Sequence, residues 1–142
     1  MVYLWHVFRI RKRIMKNWLF LVLLGVATTQ AVAQAEWHGP IREAIKAGDA
    51  KALARHFNTS IEITLDGNVS SYSKTQGEFV MRDFFKKSPP ANFTIMHTGA
   101  SKGGLQFAIG RYESGGNSYI VVIRVKDVGG QLLIHEMSFV KE

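Results

Sequence analysis

Paired glycines cut the C-terminal stretch of this 142-residue chain at nearly even intervals, in Lys102-Gly103-Gly104, Ser114-Gly115-Gly116-Asn117 and Val128-Gly129-Gly130. Glycine enters left-handed backbone without a steric penalty, so each pair marks a tight reversal. Between the reversals apolar residues recur at every second position, the period of a strand with one buried face. The pattern predicts strands over residues 93–100, 104–113, 118–127 and 131–140. Connections this short cannot carry a chain back to begin a parallel neighbour, so the four strands form an antiparallel meander.

Alternation also sorts the faces. One set is mostly apolar and is expected to meet a covering layer: Phe93, Ile95, His97, Leu105, Phe107, Ile109, Tyr119, Val121, Ile123, Val125, Leu133, His135, Met137 and Phe139. The other set mixes Met96, Tyr112, Ile120, Val122, Leu132 and Ile134 with polar residues. A sheet face this apolar predicts a homodimer contact.

The covering layer lies upstream. "PIREAIKAGDAKALARHF" sets Ile41, Ala44, Ile45, Leu53, Ala54 and Phe57 at three-and-four spacing. Gly48 is a stop and Asp49 a cap, which predicts helices over 38–47 and 49–57. "SIEITLDGNVSSYS" switches to strand period through Ile61, Ile63 and Leu65, turns at Asp66-Gly67-Asn68 and returns over 69–73. "TQGEFVMRDFFKKSPP" is a third helix, with Thr75 and Glu78 spaced as a capping box and Pro89-Pro90 forbidding continuation. Its Phe79, Val80, Phe84 and Phe85 are expected to be buried. The expected fold is therefore α+β: a curved antiparallel sheet, made of the four-stranded meander and a short hairpin, packed on about three helices in the order α-α-β-β-α-β-β-β-β. A curved sheet wrapped round helices leaves one natural cavity, on its helix-facing side.

The N-terminal segment "RIRKRIMKNWLFLVLLGVATTQAVAQAEW" reads as an export signal. Basic residues precede an apolar run over residues 18–27, about half of what a spanning helix needs, and Ala33-Gln34-Ala35 offers a small-x-small cleavage site before Glu36. Residues 1–35 are thus expected to be removed between Ala35 and Glu36. The stretch from Met15 is already a complete signal peptide, which makes Met15 the expected true start. What remains, residues 36–142, is one domain, expected in the periplasm or secreted, with no lasting membrane anchor.

The net charge of +7 would suggest a nucleic-acid partner, but its distribution argues against one. Five of the positive charges precede the apolar run, and no acidic residue occurs before Glu36. The remaining 107 residues hold 13 basic and 11 acidic side chains, or +2, with Lys86-Lys87 as their one basic doublet. With no cysteine, neither a disulfide nor a thiolate metal site can form. The histidines after the leader, His38, His56, His97 and His135, share no short ligand spacing, so no metal or cofactor is expected. The three N-x-[ST] triplets at Asn58, Asn68 and Asn92 are read as chance in a Ser- and Thr-rich chain. "HTGASKGG" lacks the ending and context of a phosphate loop and reads as a hairpin turn.

The element order and the segments "AIKAGDAKALARHF", "IEITLDG", "YSKTQGEFVMRDFFKKSPP" and "FTIMHTGASKGG" together resemble a family of small exported bacterial domains of unknown function. That family belongs to the nuclear transport factor 2-like, or cystatin-like, superfamily of cone folds. The resemblance covers residues 41–140, and its most specific pieces are Ala47-Gly48-Asp49, Tyr72-Ser73-Lys74 and His97-x-Gly99-x-Ser101. It implies a cone-like fold and export, and it brings no activity. The wider superfamily holds isomerases, dehydratases and polyketide cyclases beside non-catalytic binding domains, so fold alone does not choose among them.

Enzymes on such a cone place a titratable group inside it. The candidates here are His97 and His135, with a ligand pocket lined by Tyr72, Phe84, His97, Phe107, Tyr119 and His135. Neither histidine has a carboxylate that the sequence can place beside it: Glu136 alternates away from His135. The leading expectation is a non-catalytic domain binding a small-molecule ligand or an envelope protein. A cone-pocket enzyme using one of the histidines, and a structural or assembly module of the envelope, are the alternatives.

Overall fold

A computed structural model describes residues 37–142. The expected leader, its cleavage point at Ala35 and Glu36, and the alternative start at Met15 lie outside the described residues. Within them the helices are α1 (His38–Ala47), α2 (Ala50–Ala54) and α3 (Lys74–Lys87), and the strands are β1 (Phe57–Leu65), β2 (Asn68–Ser73), β3 (Asn92–Ala100), β4 (Gln106–Ser114), β5 (Asn117–Val128) and β6 (Gln131–Lys141). The strands make one curved, unclosed sheet in the order β2-β1-β6-β5-β4-β3. The class and element order are those the sequence predicts. The sheet is mixed rather than wholly antiparallel, because β1 runs parallel to β6. The long crossover through β2, α3 and the meander allows that pairing, as a parallel neighbour requires.

Local chemistry explains the element ends. Gly48 takes φ 65° at the end of α1 and its N–H bonds back to the last turn. Asp49 accepts the Ala52 N–H and starts α2. That helix stops at Ala54, and the buried Phe57 already opens β1, so the expected helix 49–57 is shorter and the strand begins earlier. The capping box of α3 is Ser73 with Gln76, each side chain accepting the other's backbone N–H, rather than Thr75 with Glu78. The turns Asp66-Gly67, Gly115-Gly116 and Gly129-Gly130 place both central residues at positive φ, the primed geometry that matches strand twist.

Two irregularities decide which side chains face the helices. In β3, Ile95 lies opposite Gly110 but His97 lies opposite Ile109, which leaves Met96 as an extra residue. In β6, Ile134 lies opposite Val125 and Glu136 opposite Arg124, which leaves His135 extra. A bulge of one residue reverses the alternation beyond it. The expected faces of β5, and of Phe93, Ile95, Met137 and Phe139, hold, but several others are corrected. His97, Phe107, Ile109, Leu133 and His135 lie away from the helices, while Ala108, Gly110, Tyr112, Leu132 and Ile134 lie toward them. Phe79 is also corrected: it is 59% exposed on the solvent side of α3.

The core lies between the helices and that inner face, with Ile41, Ile45, Leu53, Phe57, Ile61, Ile63, Met81, Tyr112, Val121, Ile123 and Phe139 all at or near zero exposure. Gly110 makes part of it possible, since a Cβ there would stand 2.6 Å from the Phe93 ring and 2.7 Å from the Thr94 carbonyl oxygen. Gly110→Ala is therefore expected to lower stability by about 1–3 kcal/mol in urea titration. Gly39→Ala, in α1 with nothing within 4 Å, should leave it unchanged or slightly raised.

Candidate functional site

The helix-facing interior is where a cone-pocket site would stand, and α3 controls it. Its buried face is Gly77, Met81, Phe84 and Phe85. Gly77 brings the helix close to β1: a Cβ there would meet Ile61 at 3.0 Å and the Phe57 ring at 3.2 Å. One turn beyond Met81, the Phe84 ring enters the centre of the sheet. It packs on Phe139 of β6 at 4.7 Å between centroids, on Tyr112 of β4 at 5.6 Å and on Tyr119 of β5 at 5.7 Å. The four rings fill this part of the interior with tilted and edge-on contacts. The Tyr112 hydroxyl donates to the Ser88 carbonyl at the end of α3, which ties that end to the sheet. Burial, helped by the neighbouring Tyr119, pushes the Tyr112 phenol well above its ordinary range, so it remains a donor at any ordinary pH.

The six pocket candidates do not meet. Phe84 and Tyr119 are in contact. Tyr72 faces the interior from β2, opposite Ile61, and packs on the rim of the core. His97, Phe107 and His135 lie on the outer face of the sheet. His97 and Phe107 are neighbours there, 5.9 Å between centroids. The Phe107 ring lies across Gly99, where a Cβ would come within 2.5 Å of it. His135, on its bulge, has a buried Nδ1 with no hydrogen-bond partner. Burial lowers its pKa, Lys126 lowers it further, and Glu136 partly opposes them. His56 is also lowered, by burial first and then by Arg55 and Lys74.

The outer face has an order of its own. One row runs His97, Ile109, Val122, Ser138, Thr64 and Val69 across all six strands. The rows beside it hold Ile120 with Val140, and Phe107 with Arg124 and Glu136. Met96 and Val140 are about half exposed, at 50% and 51%. Ion pairs edge the apolar centre: Arg124–Glu136 at 2.6 Å and Arg111–Glu142 at 3.4 Å. Tyr112 is the interior aromatic that sequence reasoning placed on the other face. The signal for it was Gly110 within a strand pattern, because such a glycine marks a close approach and so the crowded face.

Residues 39–139 match the family model described as a domain of unknown function, DUF4783. The chain belongs to this family. A DUF4783 family protein from Bacteroides ovatus has a crystal structure similar to it, with 23% identity, a TM-score of 0.69, and coverage of 72% of this chain and 93% of that one. A nuclear transport factor 2-like protein of unknown function from Shewanella baltica is similar at 16% identity and TM-score 0.55, covering 73% of this chain and 86% of that one. A domain of unknown function with a cystatin-like fold from Nostoc punctiforme gives 10% identity and TM-score 0.59, over 74% of this chain and 72% of that one. No curated protein matches the sequence. At these identities the likeness establishes the fold that DUF4783 members share.

The two lowered histidines fix a pH dependence. A folded-state pKa below the unfolded value means the unfolded chain binds more protons, so their contribution to stability is present above about pH 6.5 and is lost as pH falls through the lowered values. Urea titrations are expected to show stability falling from pH 7 to pH 5. His135→Gln should flatten part of that slope. An unchanged slope would show that His135 is not held neutral by its surroundings.

Proposed function

We propose that this DUF4783 member is an exported, non-catalytic protein-binding domain that associates through the outer face of its sheet, in the first instance with a second copy of itself. The packing of Phe84 on Tyr112, Tyr119 and Phe139 carries the reading. Rings stand where a cone-pocket enzyme or a small-ligand carrier would hold its ligand. The two histidines available as a general base stand on the other side of the sheet.

The outer face has the make-up of an interface: an apolar centre of Phe107, Ile109, Ile120 and Val122 within a charged rim. Arg111, Arg124 and Lys126 stand among Glu62, Glu113, Glu136 and Glu142 there, so the face interleaves both signs, its net charge of −1 is too small to select a charged partner, and it can oppose its own copy. Six strands about 4.8 Å apart, each giving about seven residues of about 3.3 Å, outline roughly 650 Å², close to the area one partner contributes to a stable interface. Export rests on the leader pattern of residues 1–35.

Sedimentation velocity tests the association. The wild-type domain is expected to run as a dimer, and Val122→Glu as a folded monomer with unchanged circular dichroism. A wild type that stays monomeric at the highest soluble concentration, and captures no envelope protein, would overturn the proposal. For export, N-terminal sequencing of the protein recovered from its host's periplasm should begin at Glu36; a start at Met1 or Met15 sinks that part.

A further inference from the structure

Charge is divided unevenly between the two sides of the domain. Residues 37–57 and 74–90, which hold the three helices, carry eight Lys and Arg against four Asp and Glu, whereas 58–73 and 91–142 carry five against six. Each acidic group of the helical layer is already engaged. Glu43 pairs with Arg42, Glu78 with Arg82 and Asp83 with Lys87, and Asp49 caps α2. Lys46, Lys51, Arg55, Lys74 and Lys86 are exposed and, among the described residues, have no carboxylate within 4.0 Å. Arg55 follows the end of α2 and Lys74 opens α3, and both lie close enough to His56 to lower its pKa, so these two cations stand near one another where α2 and α3 meet.

The same layer exposes an aromatic ring. Phe79, at 59% exposure, is the one aromatic among the large apolar side chains left exposed in the described residues, and the Arg82 guanidinium stands 5.2 Å from its centroid. An exposed ring in a layer with a surplus of cations is the composition of a surface that rests on an anionic bilayer. The cations meet headgroup phosphates, and the ring leaves water for the interfacial zone. A soluble polyanion would engage the cations and leave the ring wet.

We propose that the helical layer docks reversibly on an anionic phospholipid surface, with Lys46, Lys51, Arg55, Lys74 and Lys86 toward the headgroups and Phe79 seated among them. The outer sheet face is on the other side of the domain, so this docking stands or falls independently of self-association.

Vesicle flotation tests it, using the unit Glu36–Glu142, whose core residues all lie between Ile41 and Phe139. Vesicles of phosphatidylcholine alone are expected to leave the protein behind. Vesicles with about one-third phosphatidylglycerol should carry it, and should release it near about 0.5 M salt. Lys51→Gln with Arg55→Gln is expected to lower the partition on the order of tenfold, and Phe79→Ser about fivefold, with circular dichroism unchanged. Lys102→Gln, which removes an exposed cation from the turn between β3 and β4, should bind as the wild type does. The proposal is overturned by equal binding to neutral vesicles, by no binding to either, by anionic binding indifferent to Lys51→Gln with Arg55→Gln, or by binding to heparin with none to the vesicles.

Discussion

The ring of Phe84 is the contact on which the shape of the domain depends. It reaches one aromatic side chain from each of β4, β5 and β6, three neighbouring strands, and so holds α3 against the middle of the sheet. Aromatic pairs of this kind contribute roughly 0.5–1.5 kcal/mol each beyond the area they bury. Three of them are a sizeable part of the few kcal/mol by which a small domain is stable. The glycine at position 77 favours the contact, because a Cβ there would crowd Ile61 and the Phe57 ring and push them back by a few tenths of an ångström. A sheet curved round a helix makes a cup, and the rings that secure the helix stand inside it.

Much of this was legible in the chain. The glycine pairs delimit the strands, Gly48 and Asp49 separate the first two helices, and the sum of these elements leads to an α+β cone. What period-two reasoning could not see were the extra residues at Met96 and His135. A bulge leaves no mark in hydrophobic alternation, yet it turns over every side chain beyond it. That is why His97 and His135 read as interior groups in the sequence and stand outside in the structure. On β4 the misreading had a different cause. Phe107 and Ile109 outweigh Ala108 and Gly110 in apolar content, but the pairing of Tyr112 with Tyr119 sets the face, and small residues occupy it because the Phe93 ring lies there.

Strands β3 and β4 show how a thin sheet can serve two faces. Phe93 of β3 lies over Gly110 of β4 on the helix side, and Phe107 of β4 lies over Gly99 of β3 on the other. Each strand lends a glycine to the other's ring. The inner ring becomes core, and the outer ring becomes part of a half-exposed apolar surface. Charge follows the same partition, with both signs interleaved on the sheet and a positive surplus on the helices. The two sides therefore differ in surface chemistry, one with a half-exposed apolar centre among mixed charges, the other with a positive surplus.

The position of β6 has a consequence for how the molecule comes into being. The last strand of the chain occupies an internal place in the sheet, between β5 and the β1–β2 hairpin. Its parallel register with β1 joins Ile63 to Met137, so the N-terminal hairpin has no neighbour on that side until the final strand exists. A chain delivered N-terminus first, from a ribosome or through a translocation pore, keeps β1 waiting while the meander folds hairpin by hairpin. Gln131–Lys141 is the keystone, and the six strands become one sheet only once it has arrived.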